Sequence, residues 1–224
     1  NKEGEELSRA ENELIRSMDR IYDLYALMLE LLLSFQRLAE DRIEEGKRKK
    51  LPSQEDLHPN MKFVENPALA DLADSDKLRQ YSQSHAVNWS DQRDFVKKLF
   101  RTVRDSEVFE SYMSREEETY KGHRDFLVEI YVENIANNEI LHEILEEKSI
   151  YWVEDLALVN SAVVRTLQGL KEKTGASKAI EPLYRDLEDK DFAIDLMRKV
   201  VTQGDKYEGY IADKAKNWEM ERIA

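Results

Sequence analysis

The chain has no cysteine, which excludes a disulfide framework and any thiolate-ligated metal or redox centre. That absence suits a reducing compartment, and a cytoplasmic protein is expected. Glycine and proline are scarce, 7 and 4 in 224 residues, which argues against turn-rich sheets and low-complexity linkers. There is no G-x-G-x-x-G or Walker-type phosphate loop and no nucleophile elbow. Long apolar runs are missing too. The longest, residues 24–35 ("LYALMLELLLSF"), falls short of the about 20 residues a membrane-spanning helix needs and is interrupted by Glu30 and Ser34.

What is present is charge. Charged residues make up 36% of the chain against 41% hydrophobic, a balance that calls for long helices with solvated outer faces around a substantial core. The expected fold class is all-α, a multi-helical bundle of stacked helical hairpins. The net charge of −13 repels a polyanion on average, so contact with RNA requires a local basic patch or a basic partner. The one dense basic run is "GKRKK", which makes Lys47, Arg48, Lys49 and Lys50 candidate RNA contacts. The competing explanation is that these cations complement the C-terminal end of a helix.

All four prolines fall in two stretches, Pro52, Pro59 and Pro67 in the first and Pro182 in the second. These divide the chain into a long N-terminal helix (1–50), an irregular connection (51–80), a helical insertion block (81–170), a second connection (171–190) and a final block (191–224). In the first helix Leu14, Met18, Ile21, Tyr25, Met28, Leu32, Phe35 and Ala39 recur at alternating spacings of four and three. Tyr22, Leu24, Leu29, Leu31 and Leu33 add apolar surface on other faces. A helix apolar on several sides must be enclosed, and the seam lasts only about three heptads, so an internal core helix is expected in preference to a self-associating coiled coil.

The later blocks carry a weak internal repeat. Asp125-Phe126 and Asp191-Phe192 each open a helical pattern, and Trp152 and Trp218 follow them at the same distance. Asp94-Phe95 begins a third copy without the matching tryptophan. Apolar residues follow at helical spacing: Phe95, Leu99 and Val103; Phe126 and Ile130; Phe192, Leu196 and Val200. Trp89, Trp152 and Trp218 read as helix openers that staple the core.

Glu-x-x-His occurs twice, as Glu55/His58 and Glu139/His142. A pair of such motifs with two more carboxylates holds a di-iron centre in some bundles. Here Glu55/His58 runs into Pro59, and "HEILE" lacks a second histidine. The ligand set is incomplete for either geometry, so no metal site is expected.

The final block, "DFAIDLMRKVVTQGDKYEGYIADKAKNWEMERIA", resembles the NusB family of bacterial transcription antitermination factors. The likeness rests on Asp191, Phe192, Leu196, Tyr207, Ile211, Trp218, Glu221, Arg222, Ile223 and Ala224. Upstream, "LPSQEDLHPNMKFVENPAL", "NWSDQRDFV" and "SIYWVEDL" resemble the long form of that family, which carries a helical insertion. The resemblance implies a NusB-like all-α fold and a non-enzymatic role without catalytic residues or cofactors. It further implies pairing with NusE, a small-subunit ribosomal protein, and joint binding of boxA RNA in nascent ribosomal transcripts within the RNA polymerase complex. The family's Arg-rich N-terminal helix and the helices after "ERIA" have no counterpart here. The chain is therefore expected to lack both ends of the domain, with boxA held through the missing N-terminal segment. Carried over, Glu221 and Arg222 become candidate partner contacts against the alternative of an exposed intrahelical pair, and Trp218 becomes a packing residue. The alternative function is a helical protein-interaction scaffold with no RNA role.

Overall fold

The computed structural model describes residues 2–116, 118–149, 152–182 and 187–214, all of them helix, turn or loop. Ten α-helices follow one another: α1 (Lys2–Lys47), α2 (Gln54–Leu57), α3 (Pro67–Ala73), α4 (Asp76–Ser84), α5 (Arg93–Arg104), α6 (Glu107–Ser114), α7 (Tyr120–Ile130), α8 (Glu139–Lys148), α9 (Trp152–Gly169) and α10 (Leu187–Lys214). A π-helical segment, Tyr131–Ile135, continues α7, and a 3-10 turn, Ala176–Lys178, follows α9. The expected all-α class is what the chain adopts, with no strand among the described residues. No described helix is long and apolar enough to cross a membrane.

The chain divides into two compact units, one of residues Arg20–Glu181 and one of 1–19 with 182–224. The core of the first is built around α1. Ten consecutive residues, 24–33, are buried, so every face of this segment is covered. Leu24, Met28, Leu29 and Leu31 have no exposed surface at all. Full burial of one such side chain contributes about 1.5–3 kcal/mol, so the belt is a large hydrophobic contribution to the unit. The enclosed core helix expected from the heptad seam is thus present.

Its neighbours reach it from far along the sequence. Phe35 stacks on Phe100 of α5 with ring centroids 5.3 Å apart, and Tyr22 meets the Tyr81 ring of α4 edge-on at 4.6 Å. The Trp89 indole N–H donates to the Leu27 carbonyl at 2.9 Å, and that of Trp152 donates to the Arg20 carbonyl at 2.8 Å. Arg20 and Leu27 are two helical turns apart on one face, so the two tryptophans fasten α1 at successive points. Trp152 is the first residue of α9, as expected, but Trp89 lies in the loop before α5 rather than opening it. Trp218 lies outside the described residues. Around this axis α7 packs on α3, α6 and α9, and α8 packs on α9.

Residues 51–80, expected to be an irregular connection, carry α2 and α3 and the start of α4. The proline and polar residues there act as helix starts. Asn66 caps α3 by accepting from Ala68 and Leu69 N–H, with Pro67 in its first turn, and Ser75 caps α4 by accepting from Leu78 N–H. At the other end of α4 Ala86 adopts φ +53°, and Val87 N–H donates to the Ser82 carbonyl at 2.9 Å, closing a Schellman motif on a residue other than glycine.

The repeat is only partly structural. Leu99, Val103, Phe126 and Ile130 are buried, whereas Phe192, Leu196 and Val200 of α10 are 70%, 52% and 54% exposed. In the second unit Arg198 of α10 pairs with Glu11 of α1 and with Asp195 one turn before it. Helical geometry breaks at Gln203, where φ is −128° and ψ 20°.

Candidate nucleic-acid interface

The basic run sits where α1 ends. Lys47 and Arg48 both pair with Glu44, at 3.3 and 3.7 Å, and Lys49 pairs with Asp56 at 2.8 Å. Asp56 also closes the capping box of α2: its carboxylate accepts from Ser53 N–H while its own N–H donates to the Ser53 hydroxyl. The Lys49 ammonium, followed by the Ser53 N–H, pulls the Asp56 carboxyl down to about 2. Gly46 makes this fold-back possible, since a Cβ there would lie 2.6 Å from the Asp56 carboxylate. Three of the four cations therefore have local carboxylate partners, and Lys50 is exposed. Glu221 and Arg222 lie outside the described residues.

His142 makes a structural bond. Its Nε2 lies 2.8 Å from the Ala136 carbonyl, which also accepts from the Asn160 side chain, and Asn160 in turn accepts from the Tyr131 hydroxyl at 2.7 Å. This network closes the π-helical segment onto α9. Glu55 lies within the single turn of α2 and His58 is its C-cap.

A denser cationic surface lies on α5, "RDFVKKLFRTVR". Val96, Leu99, Phe100 and Val103 turn inward and are buried. That leaves Arg93, Lys97 and Arg101, one helical turn apart, with Arg104 continuing the same stripe and Lys98 beside it. Arg93, Lys97, Lys98 and Arg101 are exposed. Arg104 approaches Asp105 at 3.4 Å, and Asp94 is the helix's only acid. Five cations against one carboxylate in twelve residues contrast with the −13 of the whole chain. A linear scan for basic runs misses this surface because buried apolar residues separate its cations. Projection of the sequence on a helix reveals it.

Beside the stripe, between α1 and α5, lies a cleft of about 470 Å³. Arg37, Arg93 and Lys97 line it together with Asn88, Ser90 and a single acid, Asp41. Arg37 is oriented by Glu30, 3.2 Å away, an acid almost wholly buried within the α1 belt. Trp89 forms the cleft's floor but is 4% exposed, with its N–H engaged by Leu27.

A second cleft of about 620 Å³ is lined by Lys62, Glu65, Arg115, Glu118 and His123. Behind it the buried Tyr112 stacks on Phe126, with centroids 3.7 Å apart and planes 7° from parallel. The Tyr112 hydroxyl accepts from the Asn66 amide and lies 2.7 Å from His123 Nδ1. Desolvation lowers the His123 pKa, opposed by Glu118 and assisted by Lys62. The Tyr112 hydroxyl also donates to the Lys62 carbonyl at 3.2 Å. Lys62 donates to the Tyr112 and Arg115 carbonyls, both at 2.8 Å. Lys62, Arg115, Glu118 and His123 thus all have partners of the kind that hold loops in place.

No family model, curated protein or solved structure matches the chain.

Proposed function

We propose that the chain belongs to a non-enzymatic transcription antitermination factor of the NusB type. Together with NusE it binds boxA RNA in nascent ribosomal transcripts, in the cytoplasm and within the RNA polymerase complex. The observation that carries this reading is the order of residues in the final block: Asp191-Phe192, Leu196, Ile211, then Trp218 with Glu221, Arg222, Ile223 and Ala224. Its all-helical setting is compatible with that family. An acidic chain also suits a basic ribosomal partner, because complementary charge speeds and orients docking.

The test is RNA binding by the full-length protein with and without NusE, followed by fluorescence anisotropy. A preference for boxA over a scrambled RNA, strengthened by NusE and weakened steeply by salt, is the expected result. Equal binding of the two RNAs in the presence of NusE refutes it.

One observation favours the alternative, a protein-interaction scaffold without an RNA role. Phe192, Leu196, Val200 and Val201 present apolar surface to solvent along α10, and such patches commonly mark protein contacts. Under that reading neither RNA is bound, with or without NusE. The same titration separates the two.

A further inference from the structure

The geometry points to the α5 stripe of Arg93, Lys97, Arg101 and Arg104, with Lys98 beside it and Arg37 across the cleft, as a track for the phosphate backbone of single-stranded RNA. This deepens the RNA-binding reading above and rests on it for the choice of RNA among polyanions.

Three features carry the assignment. First, Arg93, Lys97, Lys98 and Arg101 are exposed and form no ion pair within the described residues, so binding a phosphate there need not first break a salt bridge, although Arg104 and Arg37 are paired. The unpaired cations contrast in this with Lys47, Arg48 and Lys49. Second, they repeat every helical turn, about 6 Å, as a ladder of point charges and guanidinium forks facing a regularly repeating anion. Third, the face carries no exposed large hydrophobic residue. A protein-docking surface generally has an apolar centre, whereas a backbone-binding surface is polar and strongly positive. The cleft of about 470 Å³ between Arg37 and Arg93 is roomy enough for a phosphate group at one edge of the track.

The track positions RNA without reading it. Base recognition on single strands relies on exposed aromatic rings, whereas Trp89 at the cleft is buried with its N–H already engaged and Phe95 of α5 is partly buried against the core. The contribution of α5 is therefore the same for boxA and for any other sequence.

The test uses the full-length protein and its Arg93→Gln/Lys97→Gln/Lys98→Gln/Arg101→Gln variant, titrated with labelled boxA and scrambled RNA across a salt series. The variant is expected to lose roughly tenfold or more in affinity for both RNAs alike at low salt. The slope of log K against log salt should become shallower by about 0.7 for each phosphate contact removed. Unchanged affinity and slope overturn the proposal, as does a loss confined to boxA. Tighter binding of a polyglutamate peptide than of RNA at equal salt also overturns it, making the face a protein-docking site. If the parent binds both RNAs equally and the variant loses both, the antitermination reading fails and the track stands. If boxA preference holds and the variant's slope does not change, the reverse is true. Circular dichroism and the thermal midpoint check folding. Should the fourfold variant unfold, Lys97→Gln/Lys98→Gln replaces it, with half the change in slope expected.

Discussion

Tyr25 donates to Thr166 across 141 residues of sequence. The two oxygens are 2.6 Å apart in the buried core, and the Thr166 hydroxyl passes its own proton to the Ala162 carbonyl at 3.0 Å. The direction of the first bond follows: Tyr25 is the donor. The same Tyr25 oxygen accepts from Glu181 N–H, while Tyr22 donates to the Glu181 carbonyl at 2.7 Å. Both backbone groups of Glu181 are thus held by tyrosines of α1.

Removal of one hydroxyl at this junction leaves a buried donor or acceptor without a partner, which typically costs about 1–3 kcal/mol. Tyr25→Phe is expected to destabilise the protein by that amount in urea unfolding. Thr166→Val leaves the Tyr25 hydroxyl as the orphan. The double variant should cost less than the sum of the two, with a coupling of about 1 kcal/mol. Strict additivity would contradict the bond.

The tryptophan anchors are open to the same treatment. Trp89→Phe and Trp152→Phe each remove an N–H bonded to an α1 carbonyl and leave a small cavity. Each should lower stability by about 1–3 kcal/mol, less than the 3–5 expected for a full truncation to alanine. A change below 0.5 kcal/mol at either site would show that the indole is not anchored there.

Ala86 offers a change in the other direction. A left-handed backbone costs a residue with a Cβ about 1–2 kcal/mol, and glycine gives part of that back as entropy in the unfolded chain. Ala86→Gly should therefore stabilise by about 0.5–1 kcal/mol and raise the thermal midpoint. A lowered midpoint would mean that Ala86 does not hold φ +53° in solution.

The fourth prediction concerns pH. Burial lowers the His123 pKa in the folded state, so as pH falls the unfolded chain takes up the proton first. The stability tied to this residue is complete above the ordinary imidazole value of about 6.5 and is lost as pH falls from there through the folded-state value. Asp56, Asp91 and Glu118, whose values are lowered, titrate below that window. Between about pH 7.5 and 5.5 the thermal midpoint should fall in the parent, and His123→Gln should flatten that fall. An equal fall in both proteins would place the sensitivity elsewhere.

What the sequence revealed, and what it hid, follows from how each signal is written. The buried belt of α1 was legible because its apolar residues repeat at helical spacing for several turns. Residues 51–80 were misread for the opposite reason. Pro67, Asn66 and Ser75 are as common in turns as at helix starts, and helices as short as α3 and α4 show too few periodic residues to decide. The copy led by Phe192 matched the one led by Phe126 in pattern, yet burial is a property of neighbours and the pattern does not encode them. The basic run at Lys47 to Lys50 drew attention because its members are contiguous. The α5 stripe is contiguous only in space.

The belt at 24–33 also has a consequence for the order of events on the ribosome. The Arg20 carbonyl just ahead of it, the acceptor for Trp152, is made 132 residues before the indole that caps it. At elongation rates of roughly 5–20 residues per second, that gap is about 7–26 seconds. Until α9 is made, the ten-residue greasy girdle lacks partners such as Thr166, which bonds Tyr25. Slowing translation just before α9 should therefore raise the aggregated fraction of nascent chains.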